Sequence, residues 1–433
     1  MNSRFAYLRE RLRTSLWPIP AALCLAGGVT AVLMLWLDTR FQITVDDSPW
    51  SALGNDTVQR VIAVIAGSII GVGGVAFSIT MVALTLTSGQ YGPKILRNFL
   101  EDRTSKVTLG LFLGSYAYSL ITLSGFTLVE TPRFSLLGAL ASAFAALFAF
   151  VQFMHRTATD LQADQIVQRI GRQLHHTLSD MADVKHGPRR SDDTAHWRRA
   201  TRGCRRFELA ATQHGYVQAI DYQGLSRLCA KHDCTLMVRA RAGDFLIGGL
   251  GAFSVYAANQ REIEGILQET RRHVVVGPVR TPVQDAEHAI SQLSQLAARA
   301  LSPGINDPGT AITCIDWFTR ALAEIVDRDL PGCIVSDDEG NPRLLIRTPR
   351  FAGLAKAIYA PMRQLADANI AVCIRLLESL CSLAELTRRP ERLAVLQQHG
   401  DLILDSLQDE VRQSFDARDI QQRYRRLRAR TSC

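Results

Sequence analysis

The chain has 433 residues, of which 21% are charged, and its formal net charge is +8. A basic balance can indicate a nucleic-acid-binding protein, but the interleaved basic and aromatic residues of such a module are missing. We attribute the excess charge to the flanks of membrane segments, where Lys and Arg fix topology. Nine cysteines with no repeated paired spacing indicate a reducing compartment without a disulfide framework, and a second matched pair for a zinc site is missing.

Four long apolar runs in the first third of the chain predict transmembrane helices. Each run lacks Asp, Glu, Lys, Arg and His, and each is close to the roughly 20 residues needed to cross the hydrocarbon core. The first run is too long for the apolar part of a signal peptide. The runs cover residues 15–37, 61–88, 107–128 and 136–153.

The charges that flank these runs predict the orientation of the chain. Arginines precede the first run in residues 1–14, and lysines and arginines follow the second run in residues 89–106. The loop at residues 38–60 is instead rich in aspartate. Because cytoplasmic loops carry the excess of Lys and Arg, we expect both termini and the large remaining part in the cytoplasm.

The pattern of elements predicts a mainly α membrane protein with a four-helix transmembrane bundle at residues 1–155. A cytoplasmic α+β subdomain with a small sheet or barrel-like part follows at 156–277, and a mainly helical subdomain with a C-terminal bundle at 278–433. Residues 186–206, which are polar and rich in arginine, are expected to form a linker. Strands are predicted at 216–220, 235–240, 244–247, 252–256, 273–276, 333–335 and 344–346, and helices at 156–182, 222–231, 283–301, 309–326, 351–386, 390–409 and 417–428.

The second run carries small residues on one helical face. Gly67, Gly71, Gly74, Ser78 and Thr85 are spaced by four, three, four and seven residues, so they share one side of a helix. In lipid, helices associate through close packing of small residues, so this face predicts a helix contact within one chain or between copies in a homo-oligomer. The other interpretation is that the hydroxyl-bearing end of this face lines a polar path.

The third run carries a similar pair of small residues, Gly110 and Gly114. Proton relays and ion-coupled transporters usually contain buried Asp, Glu or His, and the four runs contain none. The two interpretations are therefore a passive pore lined by small and hydroxyl residues, and helix packing without a pore.

Polar residues at two places in the predicted cytoplasmic part form a candidate pocket: Gln284, Asp285 and His288, with Asn306 and Asp307. Asp285 and His288 can meet on one helical face, which suggests acid/base chemistry. Helix capping and a solvated helix face explain the same residues, and Asp307 followed by a proline is typical of a helix start. No metal or cofactor is expected.

Five separated motifs occur in one order over nearly the whole chain. They are residues 77–84 (FSITMVAL), 88–93 (SGQYGP) with 96–99 (LRNF), 215–221 (GYVQAID), 280–281 (RT) with 284–285 (QD), and 300–303 (ALSP) with 305–308 (INDP). Together they resemble the bacterial family called domain of unknown function 2254. The resemblance implies a predicted inner-membrane protein of bacteria, with no established activity.

The leading functional hypothesis is an oligomeric channel or transport-like protein with a cytoplasmic regulatory domain. Its motivation is the small, hydroxyl-bearing face of the second run. The alternative is a membrane-anchored sensor or scaffold without a pore. A third hypothesis is an enzyme that uses Asp285, His288 and Asn306. The expected partners are the lipid bilayer and further copies of the chain, and nucleic acid is not expected.

Overall fold

The chain folds into two compact units, residues 1–162 and 163–433, in a computed structural model. Most of the chain is helical, and short strands occur in the second unit. The structure describes residues 17–40, 54–91, 103–125, 133–160, 163–182, 190–191, 194–258, 263–282, 284–366, 369–407 and 417–431.

Among the residues that the structure describes, the first unit contains four helices, which confirms the four predicted runs. All four are long and apolar enough to cross a membrane. At about 1.5 Å per residue, the 37 residues of the second helix extend over about 55 Å, more than a hydrocarbon core of about 30 Å. The helices are α1 (Pro18–Arg40), α2 (Asn55–Tyr91), α3 (Arg103–Gly125) and α4 (Arg133–Asp160).

Helix α3 is the interior helix of the first unit. It packs against α1, α2 and α4. In its most apolar stretch 44% of the residues are buried, against 11% in α1 and 28% in both α2 and α4, and it is the least apolar of the four. The interior position explains this composition, because a helix that is shielded from lipid tolerates polar side chains.

The second unit contains ten helices and nine strands among the residues that the structure describes. Its helices are α5 (Ala163–Ala182), α6 (Thr194–Ala200), α7 (Tyr222–Lys231), α8 (Ile263–Arg272), α9 (Ala286–Ala300), α10 (Pro308–Ala323), α11 (Phe351–Ala366), α12 (Ile370–Leu386), α13 (Pro390–Asp405) and α14 (Ala417–Thr431). Its strands are β1 (Arg190–Ser191), β2 (Arg205–Ala210), β3 (Gly215–Ile220), β4 (Thr235–Val238), β5 (Phe245–Leu246), β6 (Gly251–Ala257), β7 (Val274–Gly277), β8 (Ile334–Ser336) and β9 (Pro342–Ile346).

The strands form two sheets that share one core. The larger sheet has the order β1-β8-β9-β4-β6-β2, and the smaller has the order β5-β3-β7. The strands predicted at 333–335 and 344–346 are confirmed as β8 and β9, which pair as an antiparallel hairpin, and β9 runs parallel to β4. Val217 and Ile220 of the small sheet pack in one apolar cluster with Leu236 and Val255 of the large sheet and with Leu225 of α7.

The larger sheet takes strands from both sides of residue 277, where the sequence predicts a subdomain boundary. That division stays a prediction. The helices α9 to α14, together with α5, pack against one another beside the sheets. Ile166, Ile170 and Leu174, which recur at a helical interval in α5, are all buried.

Two expectations about local structure are wrong. The described part of residues 186–206 contains α6, because Trp197 is buried and its ring packs edge-on against Tyr256 at 6.0 Å. The single helix expected over residues 351–386 is two helices, because Asn369 adopts an extended backbone and caps α12. Helix α8, with Ile266 buried, was not foreseen at all.

Replacing Asn369 by Ala should lower the free energy of unfolding by about 1 kcal/mol, because the side chain accepts a 3.2 Å hydrogen bond from the N–H of Val372. Denaturant unfolding of the full chain in detergent, followed by circular dichroism, measures the change. Asn369→Ser keeps a capping oxygen and should retain most of the stability. An equal loss in both variants would assign the effect to something other than the cap.

Candidate functional site

Helices α1 and α3 cross with their backbones in contact. A Cβ atom at Gly114 would lie 2.6 Å from the carbonyl oxygen of Leu23, and one at Gly110 would lie 2.5 Å from Leu23 Cδ1. A Cβ atom at Gly27 would overlap the backbone of Gly114. Gly110 and Gly114 therefore make a helix contact inside one chain, with Gly27 as a partner that the sequence analysis missed.

The glycines of α2, unlike those of α3, lie on an exposed surface of their helix. Gly67, Gly71 and Gly74 are exposed, and a Cβ atom built on any of them would have no atom within 4 Å. Ser78 and Thr85 are exposed as well, and Thr85 Oγ1 donates to the carbonyl oxygen of Met81. The structure thus places the five residues on one exposed face of α2, and no described atom lies within 4 Å of a Cβ atom built at its three glycines.

Asp38 is a buried carboxylate at the end of α1 that caps the start of α4. It accepts hydrogen bonds from the N–H groups of Phe134 at 2.8 Å and Ser135 at 3.0 Å, and from Ser135 Oγ at 2.6 Å. Only 4% of Asp38 is exposed. A carboxylate at a helix N-terminus is stabilised by the N–H groups and by the helix dipole.

The interior face of α3 carries a row of hydroxyl groups. Ser115, Tyr118, Ser119 and Thr122 are all buried. Tyr118 donates to the carbonyl oxygen of Ser135, and Ser119 donates to that of Ser115. Because α1 and α3 extend beyond the apolar runs, they also contain buried Asp38 and Lys106. The helices therefore bury ionisable side chains, although the four apolar runs of the sequence contain none.

In the second unit, Gln284 and Thr281 fasten a segment to the edge of β3. The side-chain amide of Gln284 accepts from the N–H of Ile220 at 3.0 Å and donates to its carbonyl oxygen at 3.1 Å. Thr281 Oγ1 donates to the carbonyl oxygen of Gln218. The Gln284 amide replaces a strand partner here, which is a structural role.

Asp285 lies at the start of α9 and is bound by Arg280. Arg280 Nη2 approaches Asp285 Oδ2 to 2.6 Å, and Asp285 Oδ1 accepts from the N–H of His288. Burial raises the pKa of Asp285 above its usual value, while the hydrogen bond and charge of Arg280 act to lower it. Beside this pair, Arg241 binds Glu287 at 2.7 Å.

Asn306 and Asp307 lie at the other end of α9. The N–H of Asp307 donates to the carbonyl oxygen of Ala300, and Asp307 caps α10, as predicted. Hydrogen bonds from Thr310 lower the pKa of Asp307. The 15 residues of α9 separate the two groups by about 20 Å, so the structure does not bring Asp285, His288 and Asn306 into one pocket.

The sequence analysis missed several contact residues, and the sequence contains a signal for only some of them. Gly27 and Gly28 are adjacent small residues in a run of larger ones, which is typical of a helix contact. Asp38 follows an apolar run directly, and Arg280 lies five residues before Asp285; neither position by itself indicates a buried contact.

Comparisons with known proteins agree with a membrane assignment. A family model described as "Predicted membrane protein (DUF2254)" matches residues 13–382. Uncharacterized proteins of Mycobacterium bovis and Mycobacterium tuberculosis are each 26% identical to this chain over 434 residues, which cover 96% of the chain and 80% of each relative. No solved structure matches the chain.

Replacing Gly114 by Leu should destabilise the first unit by more than the 1–3 kcal/mol that is roughly usual for overpacking, because the obstructing atoms belong to the backbone of α1. Thermal unfolding of the full chain in detergent measures this loss. Ala145→Leu is the matched control, since Ala145 is exposed on α4 and belongs neither to the α1–α3 contact nor to the glycine face of α2, and it should leave the unfolding temperature nearly unchanged. Equal losses would contradict the assigned α1–α3 contact.

Gly243→Ala should destabilise the second unit far more than Gly340→Ala. Both glycines have a left-handed backbone, with φ values of 93° and 89°. A Cβ atom at Gly243 would overlap the carboxylate of Asp285, whereas one at Gly340 would meet nothing within 4 Å. The control should therefore lose only about 1 kcal/mol from backbone strain. Denaturant unfolding of the two variants measures the difference, and similar losses would contradict a tight approach of Gly243 to Asp285.

Proposed function

We propose that this chain, which belongs to the DUF2254 family of predicted membrane proteins, is a homo-oligomeric channel or transport-like protein of the bacterial inner membrane. The exposed glycine face of α2 carries this proposal. Helices in lipid gain little from burying apolar surface, so small residues are most useful where another backbone can approach them. Among the described residues, no atom lies within 4 Å of a Cβ atom built at Gly67, Gly71 or Gly74.

The shape of α2 around these glycines supports a second copy of the chain as the occupant. Larger side chains flank the glycine stripe on both sides and are exposed, so the stripe forms a groove between two apolar ridges. A groove of this kind fits the ridge of a like helix at close range. One ridge is formed by Val64, Val75 and Val82, and the other by Ile70, Phe77 and Met81.

The orientation follows the positive-inside rule. We place both termini and the second unit in the cytoplasm, where the second unit acts as the regulatory part of the assembly. The arginines before α1 and the cations between α2 and α3 support this placement, since the loop between α1 and α2 is rich in aspartate.

The oligomer test replaces a glycine of the α2 face with a large residue. Gly71→Leu should shift the purified protein from oligomer to monomer without loss of helicity, because it fills the groove but clashes with nothing in its own chain. Light scattering coupled to size-exclusion chromatography in mild detergent measures the mass. Ala145→Leu, an exposed small residue of α4, is the matched control and should keep the wild-type mass.

The transport test uses the same face in proteoliposomes. Gly74→Leu and Ser78→Leu should reduce solute or ion flux under imposed voltage, tension or a pH gradient, while Ala145→Leu should not. Wild-type protein that is monomeric, or that shows no flux under any of these conditions, would overturn the proposal.

A groove between α12 and α14 favours the alternative of a membrane-anchored sensor or scaffold. It has a volume of about 450 Å³ and is lined by Arg375, Arg423 and Gln422, among others. Glu378 already accepts hydrogen bonds from Arg375 at 3.1 Å and Arg423 at 2.8 Å. An anionic ligand would have to displace this carboxylate, so the groove supports the alternative less strongly than α2 supports an oligomer. Thermal-shift screening of the full chain tests it.

A further inference from the structure

Three large apolar side chains are exposed on one short segment of the second unit, residues 245–250, which we call the apolar loop. Phe245 is 53% exposed, Ile247 is 48% exposed and Leu250 is 61% exposed. Single exposed apolar residues are ordinary on protein surfaces, but three of them within six residues form a patch. Such a patch is typical of a contact with a partner or with a membrane.

Backbone hydrogen bonds hold the apolar loop in one conformation. The N–H of Leu250 donates to the carbonyl oxygen of Ile247, which closes a turn, and the N–H of Gly249 donates to the carbonyl oxygen of Ala211. Gly249 has a left-handed φ of 91°, which glycine adopts without strain. The N–H of Ala211 donates in turn to the carbonyl oxygen of Leu250. The exposure of the three side chains is therefore part of the fold.

An aromatic pair lies at the start of the apolar loop. Strand β5 pairs with β3, which brings the rings of Phe245 and Tyr216 together edge-on, with their centroids 5.0 Å apart. Tyr216 is half-buried. A tyrosine combines an apolar ring with a polar hydroxyl group, and such side chains favour the boundary between lipid and water. The residues in and beside the loop thus have the composition of an interfacial membrane contact.

The size of the patch favours a bilayer over a protein as the partner. Three side chains that are about half exposed present roughly 300 Å² of apolar area, since burying a whole aromatic side chain removes about 150–250 Å². A specific protein interface needs about 800 Å² on each side. A bilayer requires less, because the four apolar helices of the first unit already hold the chain in the membrane, so that a weak second contact is sufficient.

The charges beside the apolar loop favour an anionic lipid surface. Arg271 is exposed, lines the same small cavity as strand β5, and is not ion-paired with any described residue. Two carboxylates near the loop are already paired, Glu208 with Arg239 at 2.9 Å and Asp244 with Arg347 at 3.0 Å. Among these described groups the uncompensated charge is therefore positive, and cations at a membrane surface attract anionic headgroups.

We infer that the apolar loop inserts into the interfacial layer of the bilayer that holds the first unit, with Arg271 against the phosphate groups of anionic lipids. The partner is thus the lipid surface, and neither a second copy of the chain nor a soluble protein. The second unit then has a membrane attachment of its own besides the continuous chain. This inference goes beyond the proposed transport role and does not depend on the α2 face, so a monomeric protein would leave it intact.

Photocrosslinking of the full chain in nanodiscs of phosphatidylglycerol and phosphatidylethanolamine tests the contact. With p-benzoylphenylalanine in place of Phe245, irradiation should attach lipid to the peptide that contains residue 245, and mass spectrometry measures the adduct. Leu386, which is 55% exposed at the end of α12, is the matched control, and the same replacement there should attach little lipid. Equal labelling at both positions, no lipid at residue 245, or a cross-link to a second copy of the chain instead would overturn the inference.

Charged substitutions test whether the apolar side chains make the contact. In the chain with p-benzoylphenylalanine at residue 245, Ile247→Asp/Leu250→Asp should lower lipid labelling severalfold, because a carboxylate is costly in the apolar part of a bilayer and is repelled by anionic lipids. Leu386→Asp/Leu402→Asp is the matched control, since both leucines are exposed outside the loop, and it should leave the labelling unchanged. Labelling that persists in the loop variant would contradict insertion, as would an equal fall in the control.

The role of anionic lipid has a separate test. Arg271→Gln should lower lipid labelling from residue 245 about fivefold, which corresponds to the roughly 1 kcal/mol that one arginine contributes near an anionic surface. Arg425→Gln removes an exposed arginine of α14 and should leave the labelling unchanged. In nanodiscs of phosphatidylcholine alone, chains with and without Arg271→Gln should be labelled equally. Equal effects of the two arginine variants, or an effect of Arg271→Gln that persists without anionic lipid, would overturn the contact assigned to Arg271.

Discussion

The contact between α1 and α3 fixes the arrangement of the membrane-spanning unit. At Gly27 and Gly114 the two backbones touch, and at Gly110 the side chain of Leu23 packs directly against the backbone of α3. In lipid this contact has little help from the hydrophobic effect, so its stability comes from close packing over a surface without protruding side chains. It holds α3 in the interior, where α2 and α4 can pack against its remaining sides. The polar groups of α3 are buried as a consequence.

The same kind of residue has opposite surroundings in α2 and α3. Both helices carry glycines at helical spacing, and sequence spacing does not distinguish them. In α3 a Cβ atom at Gly114 would meet Leu23, whereas at Gly71 of α2 it would meet nothing within 4 Å. A contact within one chain explains the first pattern completely and leaves the second unexplained. That difference separates a packing role for α3 glycines from the intermolecular role proposed for α2.

Much of the fold could be predicted because the decisive signals are local. Apolar runs identified the four membrane helices, and the Asp307–Pro308 pair identified the start of α10, since capping involves only adjacent residues. Helix α6 was not predicted, because arginines dominate the composition of this segment. One buried aromatic residue, Trp197, packs the helix against Tyr256. The residues of the candidate pocket lie apart for a different reason. Two polar groups of the sequence were assigned to one place, whereas α9 separates Asp285 from Asn306 and Asp307.

Asp38 shows why charge counting along apolar runs misses polar chemistry in a helical bundle. A window that stops at the last apolar residue excludes this carboxylate, and its aspartate-rich surroundings suggest a solvated loop. The free N–H groups at the start of α4 give it a different environment, because four such groups at every helix start need acceptors. The carboxylate of α1 can therefore be buried through hydrogen bonds from Phe134 and Ser135. The cap joins the end of α1 to the start of α4, and it places a charged, hydrogen-bonded group where the hydroxyl row of α3 begins.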